Sequence, residues 1–274
     1  MSVEHLVNAH IRSLRPYEPG KPIEEVEREL GIAHSVKLAS NENPLGPSPK
    51  ALEALGDLGP RVNRYPDGAC FALRARLSER LGVAPEQLIF GCGGDEILEL
   101  LAKTFLAPGD RVALPWPSFA MYPLVVQGMG AEAVTVPLTE DMQHDLAGLA
   151  KAAHEGAKMV FLCNPNNPTG TSFGADALAE FLGSIPEDVI VVIDEAYCEY
   201  AARPDFPDTL ALIAERPATL ALRTFSKIYG LAGLRVGYGI SDPEVIGFLD
   251  RARHPFNVNV LAEAAAFQVI LAEV

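Results

Sequence analysis

Val189-Ile190-Val191-Val192-Ile193-Asp194-Glu195-Ala196-Tyr197 sets an unbroken β-branched run directly before two carboxylates and a phenol. A run of this kind, with no polar alternation, reads as a strand covered on both faces, as in parallel sheets of α/β proteins. A carboxylate at the end of a buried strand is costly unless it meets a cation. Asp194 therefore reads either as the partner of a cationic ligand or as a strand-end acid of another α/β enzyme, one that holds Mg²⁺ for instance.

Working outward, apolar runs predict strands over 88–90, 111–114, 134–136, 159–163, 189–193, 219–222 and 236–240. Helical periodicity predicts helices over 24–30, 49–55, 71–81, 95–105, 119–127, 147–153 and 175–182, with a last apolar-faced helix over 261–274. A short strand is expected from Lys37, running into turn-rich residues through Pro47. This alternation predicts an α/β fold, a mostly parallel sheet flanked by helices. Ligands of such sheets bind beyond the carboxyl ends of the strands.

Four motifs follow those strand ends. After 219–222 comes Thr224-Phe225-Ser226-Lys227-Ile228-Tyr229-Gly230-Leu231-Ala232-Gly233-Leu234-Arg235. A lysine amine forms Schiff bases with carbonyl compounds, pyridoxal phosphate among them. The hydroxyls of Thr224 and Ser226 and the guanidinium of Arg235 can hold a phosphate; taken alone, Lys227 is equally an ordinary surface lysine. Asp194 fits a protonated pyridine nitrogen, which must stay cationic for the ring to accept electrons, and Tyr197 can donate to a phenolic oxygen. Gly91-Cys92-Gly93-Gly94-Asp95-Glu96 joins a strand to a helix whose free N–H groups suit a phosphate. Its spacing departs from G-x-G-x-x-G, because Glu96 takes the last glycine position; by itself it is also a tight turn. Asn164-Pro165-Asn166-Asn167-Pro168-Thr169-Gly170 offers Asn167 on a stiff loop, or a plain turn. Phe119 can stack on a flat ring or simply pack in a core.

Composition narrows the function classes. The 274 residues carry a formal net charge of −14 and a pI near 4.8, so no broad electrostatic footprint for nucleic acid exists. No apolar run reaches the ~18 residues of a membrane span, and no signal peptide is visible at the start. A cytoplasmic protein is expected. Cys70, Cys92, Cys163 and Cys198 form no C-x-x-C pair and are expected to be buried free thiols. The six histidines lack metal-ligand spacing, and no metal is expected.

In this order the motifs resemble those of the fold-type I pyridoxal-phosphate aminotransferases, the aspartate aminotransferase superfamily. Ser40-Asn41-Glu42-Asn43-Pro44-Leu45-Gly46-Pro47, Arg64-Tyr65-Pro66-Asp67 and Pro255-Phe256-Asn257-Val258 look most like the histidinol-phosphate aminotransferases. The resemblance implies a pyridoxal 5'-phosphate cofactor bonded to Lys227, with Asp194 on the pyridine nitrogen. It implies Tyr197 and Asn167 at the ring's phenolic oxygen and Phe119 on the ring face. Gly94 and Asp95 through their backbone, with Thr224, Ser226 and Arg235, would hold the phosphate. Tyr65 would reach the neighbouring subunit's cofactor, which implies a homodimer, and Tyr17 and Asn41 would lie near the substrate. The implied reaction moves an amino group between histidinol phosphate and 2-oxoglutarate, giving imidazole-acetol phosphate and glutamate, in histidine biosynthesis. Aromatic amino-acid aminotransferases and phosphothreonine decarboxylase-like enzymes share these motifs. A non-catalytic scaffold relative leaves the intact Lys227, Asp194 and Arg235 unexplained; a nucleotide-binding α/β enzyme leaves Lys227, Asn167 and Arg235 unused, and the sequence lacks a G-K-[ST] loop. The resemblance further implies an arm and small-domain segment over 1–45, a large cofactor-binding domain over 46–255, and over 256–274 the start of a helix linking to a small C-terminal domain, which is expected to be missing together with its substrate-gripping arginines.

Overall fold

A computed structural model describes residues 3–271. Its strands are β1 (Leu88–Gly91), β2 (Arg111–Trp116), β3 (Glu132–Pro137), β4 (Ala157–Cys163), β5 (Ile190–Asp194), β6 (Thr219–Thr224) and β7 (Gly237–Ile240). They form one sheet in the order β1-β7-β6-β5-β4-β2-β3. Four neighbouring pairs, β3 with β2, β2 with β4, β4 with β5 and β5 with β6, run parallel, and β7 runs antiparallel to both β6 and β1. Six strands thus point one way. Their carboxyl ends share one edge of the sheet, and β7 begins at that same edge.

The helices are α1 (Ala9–Arg12), α2 (Ile23–Leu30), α3 (Pro49–Leu58), α4 (Phe71–Leu81), α5 (Gly93–Phe105), α6 (Met121–Gly128), α7 (Leu146–His154), α8 (Ala175–Ser184), α9 (Thr209–Glu215), α10 (Pro243–Ala252) and α11 (Val260–Leu271). Alternate strand residues serve opposite layers. Ile89, Met159, Phe161, Val192 and Leu220 meet Ile97, Leu98 and Leu101 of α5, Tyr122 and Val126 of α6, and Leu249 of α10. On the other face Val160, Leu162, Val191 and Ile193 pack under α7 and α8. Leu88, Phe90, Ala221 and Ile240 pack under α3, α4 and α11. The two-sided cover is why these strands read as continuous apolar runs.

Several expectations need correction. No strand forms from Lys37: residues 35–38 are irregular and lead into a turn. The stretch meets no sheet edge and is tied instead by side chains, Asn43 Nδ2 donating to the Ile228 carbonyl at 2.8 Å. α5 starts at Gly93, two residues earlier than its periodicity suggested, and α6 starts after Phe119, which stays in the preceding turn. α9 and α10 were not foreseen. Both follow aspartate caps: the Asp208 carboxylate accepts from Ala211 N–H and Asp242 from Glu244 N–H, with Pro243 at the first helical turn. Of the cysteines, Cys70 and Cys163 are buried, Cys198 is half-buried and Cys92 is exposed. The last three residues of the helix expected over 261–274 lie outside the described residues.

The turn after Lys227 closes on the segment that leads into α3. Gly230 has φ +68°, and a Cβ there would sit 2.5 Å from the Gly46 carbonyl oxygen. Both the conformation and the close approach require glycine. Gly230→Ala should therefore lower stability by about 1–3 kcal/mol. Urea unfolding checks this; an unchanged midpoint would mean that the two backbones are not in contact.

Candidate active site

Beyond the shared strand edge lies a cavity of about 340 Å³, lined among others by Ser40, Glu42, Gly94, Asp95, Phe119, Asp194, Thr224, Ser226, Lys227 and Arg235. Topology explains the gathering. Phe119 follows β2, Asp194 ends β5, Thr224 ends β6, and α5 springs from the end of β1. Arg235 precedes β7, the strand that starts where the others finish.

Asp194 and Glu195 separate by strand alternation. Glu195 turns to the other side, where its carboxylate meets Arg223 Nε at 2.8 Å and accepts from Thr209 Oγ1 at 2.6 Å. Asp194, 4% exposed, faces the cavity. It accepts from the Tyr122 hydroxyl at 2.7 Å and from Ala196 N–H at 3.0 Å. Burial pushes its carboxyl from 3.8 up to about 6, against the downward pull of those two hydrogen bonds.

Lys227 is half-buried. Its Nζ donates to the Ser40 carbonyl at 3.3 Å and lies 5.6 Å from the centre of the Tyr197 ring. Burial, then the Arg235 charge, lowers its pKa below the ordinary 10.5. A larger share of amine is then neutral and nucleophilic at a given pH.

The end of the cavity at the start of α5 is built largely from backbone. The first turn of α5 leaves N–H groups at Gly94 and Asp95 without helical partners. Arg235, held at φ +58°, lays its guanidinium on this turn, donating to the Ala232 carbonyl at 3.3 Å and to the Asp95 carboxylate at 3.2 Å. A Cβ on Gly93 would come within 2.5 Å of Arg235 Nη2, and one on Gly237 within 2.8 Å of Gly94 N. Glu96 closes the turn: its Oε2 accepts from Cys92 N–H at 2.5 Å and from Asn257 Nδ2 at 2.7 Å. Thr224 Oγ1 accepts from Ser226 N–H at 3.1 Å, which sets the two hydroxyl residues side by side.

In the asparagine loop, Asn164 and Asn166 are buried fasteners. Asn164 bonds both backbone groups of Phe173, and Asn166 joins Ser118 at 2.7 Å and Thr169 at 2.9 Å. Asn167 lines a second cavity of about 280 Å³ with Asn41, Tyr197 and Tyr200. Asn41, at φ +51°, donates from Nδ2 to the Tyr197 hydroxyl at 2.9 Å.

Two candidate residues lie elsewhere. Tyr17 is exposed and lines neither cavity. Tyr65 is 82% exposed and stacks on Phe256 at 4.8 Å beside a separate hollow. Sequence reasoning missed Tyr122, Ser118, and the Ser40 carbonyl. Tyr122 reads as one more core aromatic of an apolar helix, and nothing local says where its hydroxyl points.

A flat ring bearing a cationic nitrogen, a carbonyl and a phosphate finds a partner for each group here: Asp194, Lys227, and the α5 turn with Arg235. Without such a ring, Asp194 is an acid whose charge is disfavoured by folding. Its raised pKa gives stability that is complete below pH 4 and is lost as pH rises through about 6. Asp194→Asn removes this titration. Relative to the parent, the ligand-free variant should gain roughly 1–3 kcal/mol between pH 4 and pH 8. Denaturant curves at both pH values decide; a constant difference would show that the carboxyl is not perturbed.

Similarity to known proteins agrees with this chemistry. The chain is 53% identical over 257 residues to a histidinol-phosphate aminotransferase of Moorella thermoacetica, covering 93% of this chain and 66% of that protein. It is 53% identical over 263 residues to histidinol-phosphate aminotransferase 2 of Pseudomonas fluorescens, covering 95% and 71%. The chain thus spans roughly two thirds of the length of these curated relatives. The crystal structure of histidinol-phosphate aminotransferase from Sinorhizobium meliloti in complex with pyridoxal-5'-phosphate superposes with a TM-score of 0.89 at 32% identity, covering 97% of this chain and 71% of that one. Residues 33–273 match the family model of aminotransferase class I and II, and the chain belongs to that family.

Proposed function

We propose that this chain carries the cofactor-binding part of a pyridoxal-phosphate-dependent histidinol-phosphate aminotransferase. The observation that carries the reading is that Asp194, Lys227 and Arg235, distant in sequence, line one cavity at the carboxyl edge of the sheet. Relatives named for this activity at 53% identity support the substrate. Bound in the cavity, the cofactor's ring supplies an electron sink for the carbanion at the substrate Cα.

The chain's own groups have these roles. Asp194 holds the positive charge of the ring nitrogen. Lys227 supplies the amine that joins the cofactor and, once released, moves the proton at the substrate Cα; its lowered pKa suits a base. Tyr197 and Asn167 hydrogen-bond the ring oxygen, and Phe119 covers the ring face. Gly94 and Asp95 N–H, Thr224, Ser226 and Arg235 hold the phosphate. Asn41 and Tyr17 border the substrate. The exposed Tyr65 serves a neighbouring subunit, which makes the protein a homodimer. The place of action is the cytoplasm; no helix among the described residues is long and apolar enough to cross a membrane.

The test is a visible absorbance spectrum of the chain with pyridoxal phosphate, before and after histidinol phosphate. A visible band that shifts on adding the amine is expected. A spectrum identical to that of free cofactor would defeat the cofactor reading, and a band that ignores histidinol phosphate would defeat the substrate. Lys227→Ala should cut turnover by about 10²–10⁴-fold through loss of the general base alone, while retaining non-covalent cofactor binding. Transamination at the parent rate in that variant would remove Lys227 from the mechanism.

A further inference from the structure

Tyr122 lies behind the cavity wall, hydrogen-bonded to Asp194, and none of the roles above employs it. It is fully buried, 0% exposed, in the layer between α6 and the sheet. Its ring lies parallel to Phe161 of β4 (centroids 4.8 Å apart, planes at 3°) and edge-on to Phe119 (5.6 Å, 88°). Two aromatic neighbours thus fix the direction of the phenol, and its hydroxyl donates to Asp194 Oδ2 at 2.7 Å. The other Asp194 oxygen is taken by Ala196 N–H. The carboxylate is therefore held at both oxygens.

We propose that Tyr122 is a positioning residue: its hydroxyl orients the Asp194 carboxylate and keeps it ionised, so that the ring nitrogen of the cofactor meets an anion. The proposal rests on the cofactor reading above only for that last clause; the effect on the carboxylate stands on this chain alone.

The surroundings leave Tyr122 to do this. Asp194 is faced by Cys163 from β4, Asp95 from α5, Glu195 from its own strand, Tyr197 from the following turn and Lys227 from the loop after β6. Asp95 and Glu195 both favour the protonated form of Asp194. The Cys163 thiol, pushed up to about 12 by burial, stays neutral, and its Sγ is directed at the Pro165 carbonyl at 3.4 Å. Burial likewise keeps the Tyr122 phenol neutral, so it remains a donor. Lys227 is the one cation in this set, and its charge is itself disfavoured by burial. Apart from Ala196 N–H, the Tyr122 hydroxyl is the hydrogen-bond donor that opposes protonation of the acid. The same phenol touches Phe119, so the wall over the proposed ring and the acid at its nitrogen are set by one side chain.

The experiment titrates Asp194 in cofactor-free protein by carbon NMR of aspartate labelled at the carboxyl carbon, with the resonance assigned by its loss in Asp194→Asn. The parent midpoint is expected near 6. In Tyr122→Phe it should rise by about one to two pH units, the worth of a hydrogen bond to a charged group. Replacing Tyr122 with 3-fluorotyrosine, whose more acidic hydroxyl is the stronger donor, should move it the opposite way. Equal midpoints would overturn the proposal. If Tyr122→Phe does not fold, the fluorinated protein decides alone, since a midpoint at or above the parent's is then fatal. Pyridoxal phosphate affinity of Tyr122→Phe supplies the second readout. It should fall about 3- to 25-fold at pH 6.5 and largely recover by pH 8.5, where the acid is mostly ionised without help. A loss equal at both pH values would assign Tyr122 a purely structural part. A parent protein that binds no cofactor would defeat the functional reading and leave the titration result standing.

Discussion

One carboxylate buried at the end of a central strand organises this molecule. Water would solvate Asp194 far better than the wall of this cavity does, and the fold answers that cost with a phenol, a peptide N–H and an adjoining hollow. The surrounding design follows from keeping that acid inside. β4 and β6 cover it on either side, α5 and α6 close the layer above it, and the amine and the first turn of α5 are brought to the same edge.

That edge exists because strand direction is nearly uniform. Six strands end where one begins, so groups scattered from Phe119 to Arg235 converge without long excursions. Glycines then permit the last approach. Gly93 and Gly237 let the guanidinium, the helix start and the strand start lie within contact of one another. Arg235 and Asn41, both non-glycine residues at positive φ, mark where side-chain placement overrides backbone preference.

Much of this was legible in the sequence, for reasons that can be named. Strands covered on both faces show as bare apolar runs, and 189–193 and 159–163 could hardly be read otherwise. Residues immediately past such runs are placed by topology, so Asp194, Lys227 and Gly94 could be located before any coordinates. What escaped depended on long-range contact. Tyr122 resembles its apolar neighbours in α6 until β5 is set beside it. The stretch from Lys37 has strand-like composition and no strand to pair with. Its long-range hydrogen bonds include those of Asn41, Asn43 and the Ser40 carbonyl, whose partners lie more than 150 positions away. Asp194 and Glu195 are chemically alike and adjacent; the direction of the pleat gives one to the cavity and the other to Arg223. α9 and α10 were overlooked although their aspartate caps were in plain view.

The loop between β6 and β7 has a consequence for how tolerant this protein can be of change. Lys227 and Arg235 sit on the same connection, between strands that are hydrogen-bonded neighbours, with Thr224 opposite Gly237 at its base. The loop is anchored at both feet and pinned midway where Gly230 meets Gly46. Its length therefore works as a ruler for the distance between amine and guanidinium. Insertions or deletions there would misalign two chemical groups at once, whereas the turns at the opposite rim of the sheet can vary in length without touching either. Natural length variation, and any tag or label introduced by engineering, should accordingly collect at that far rim.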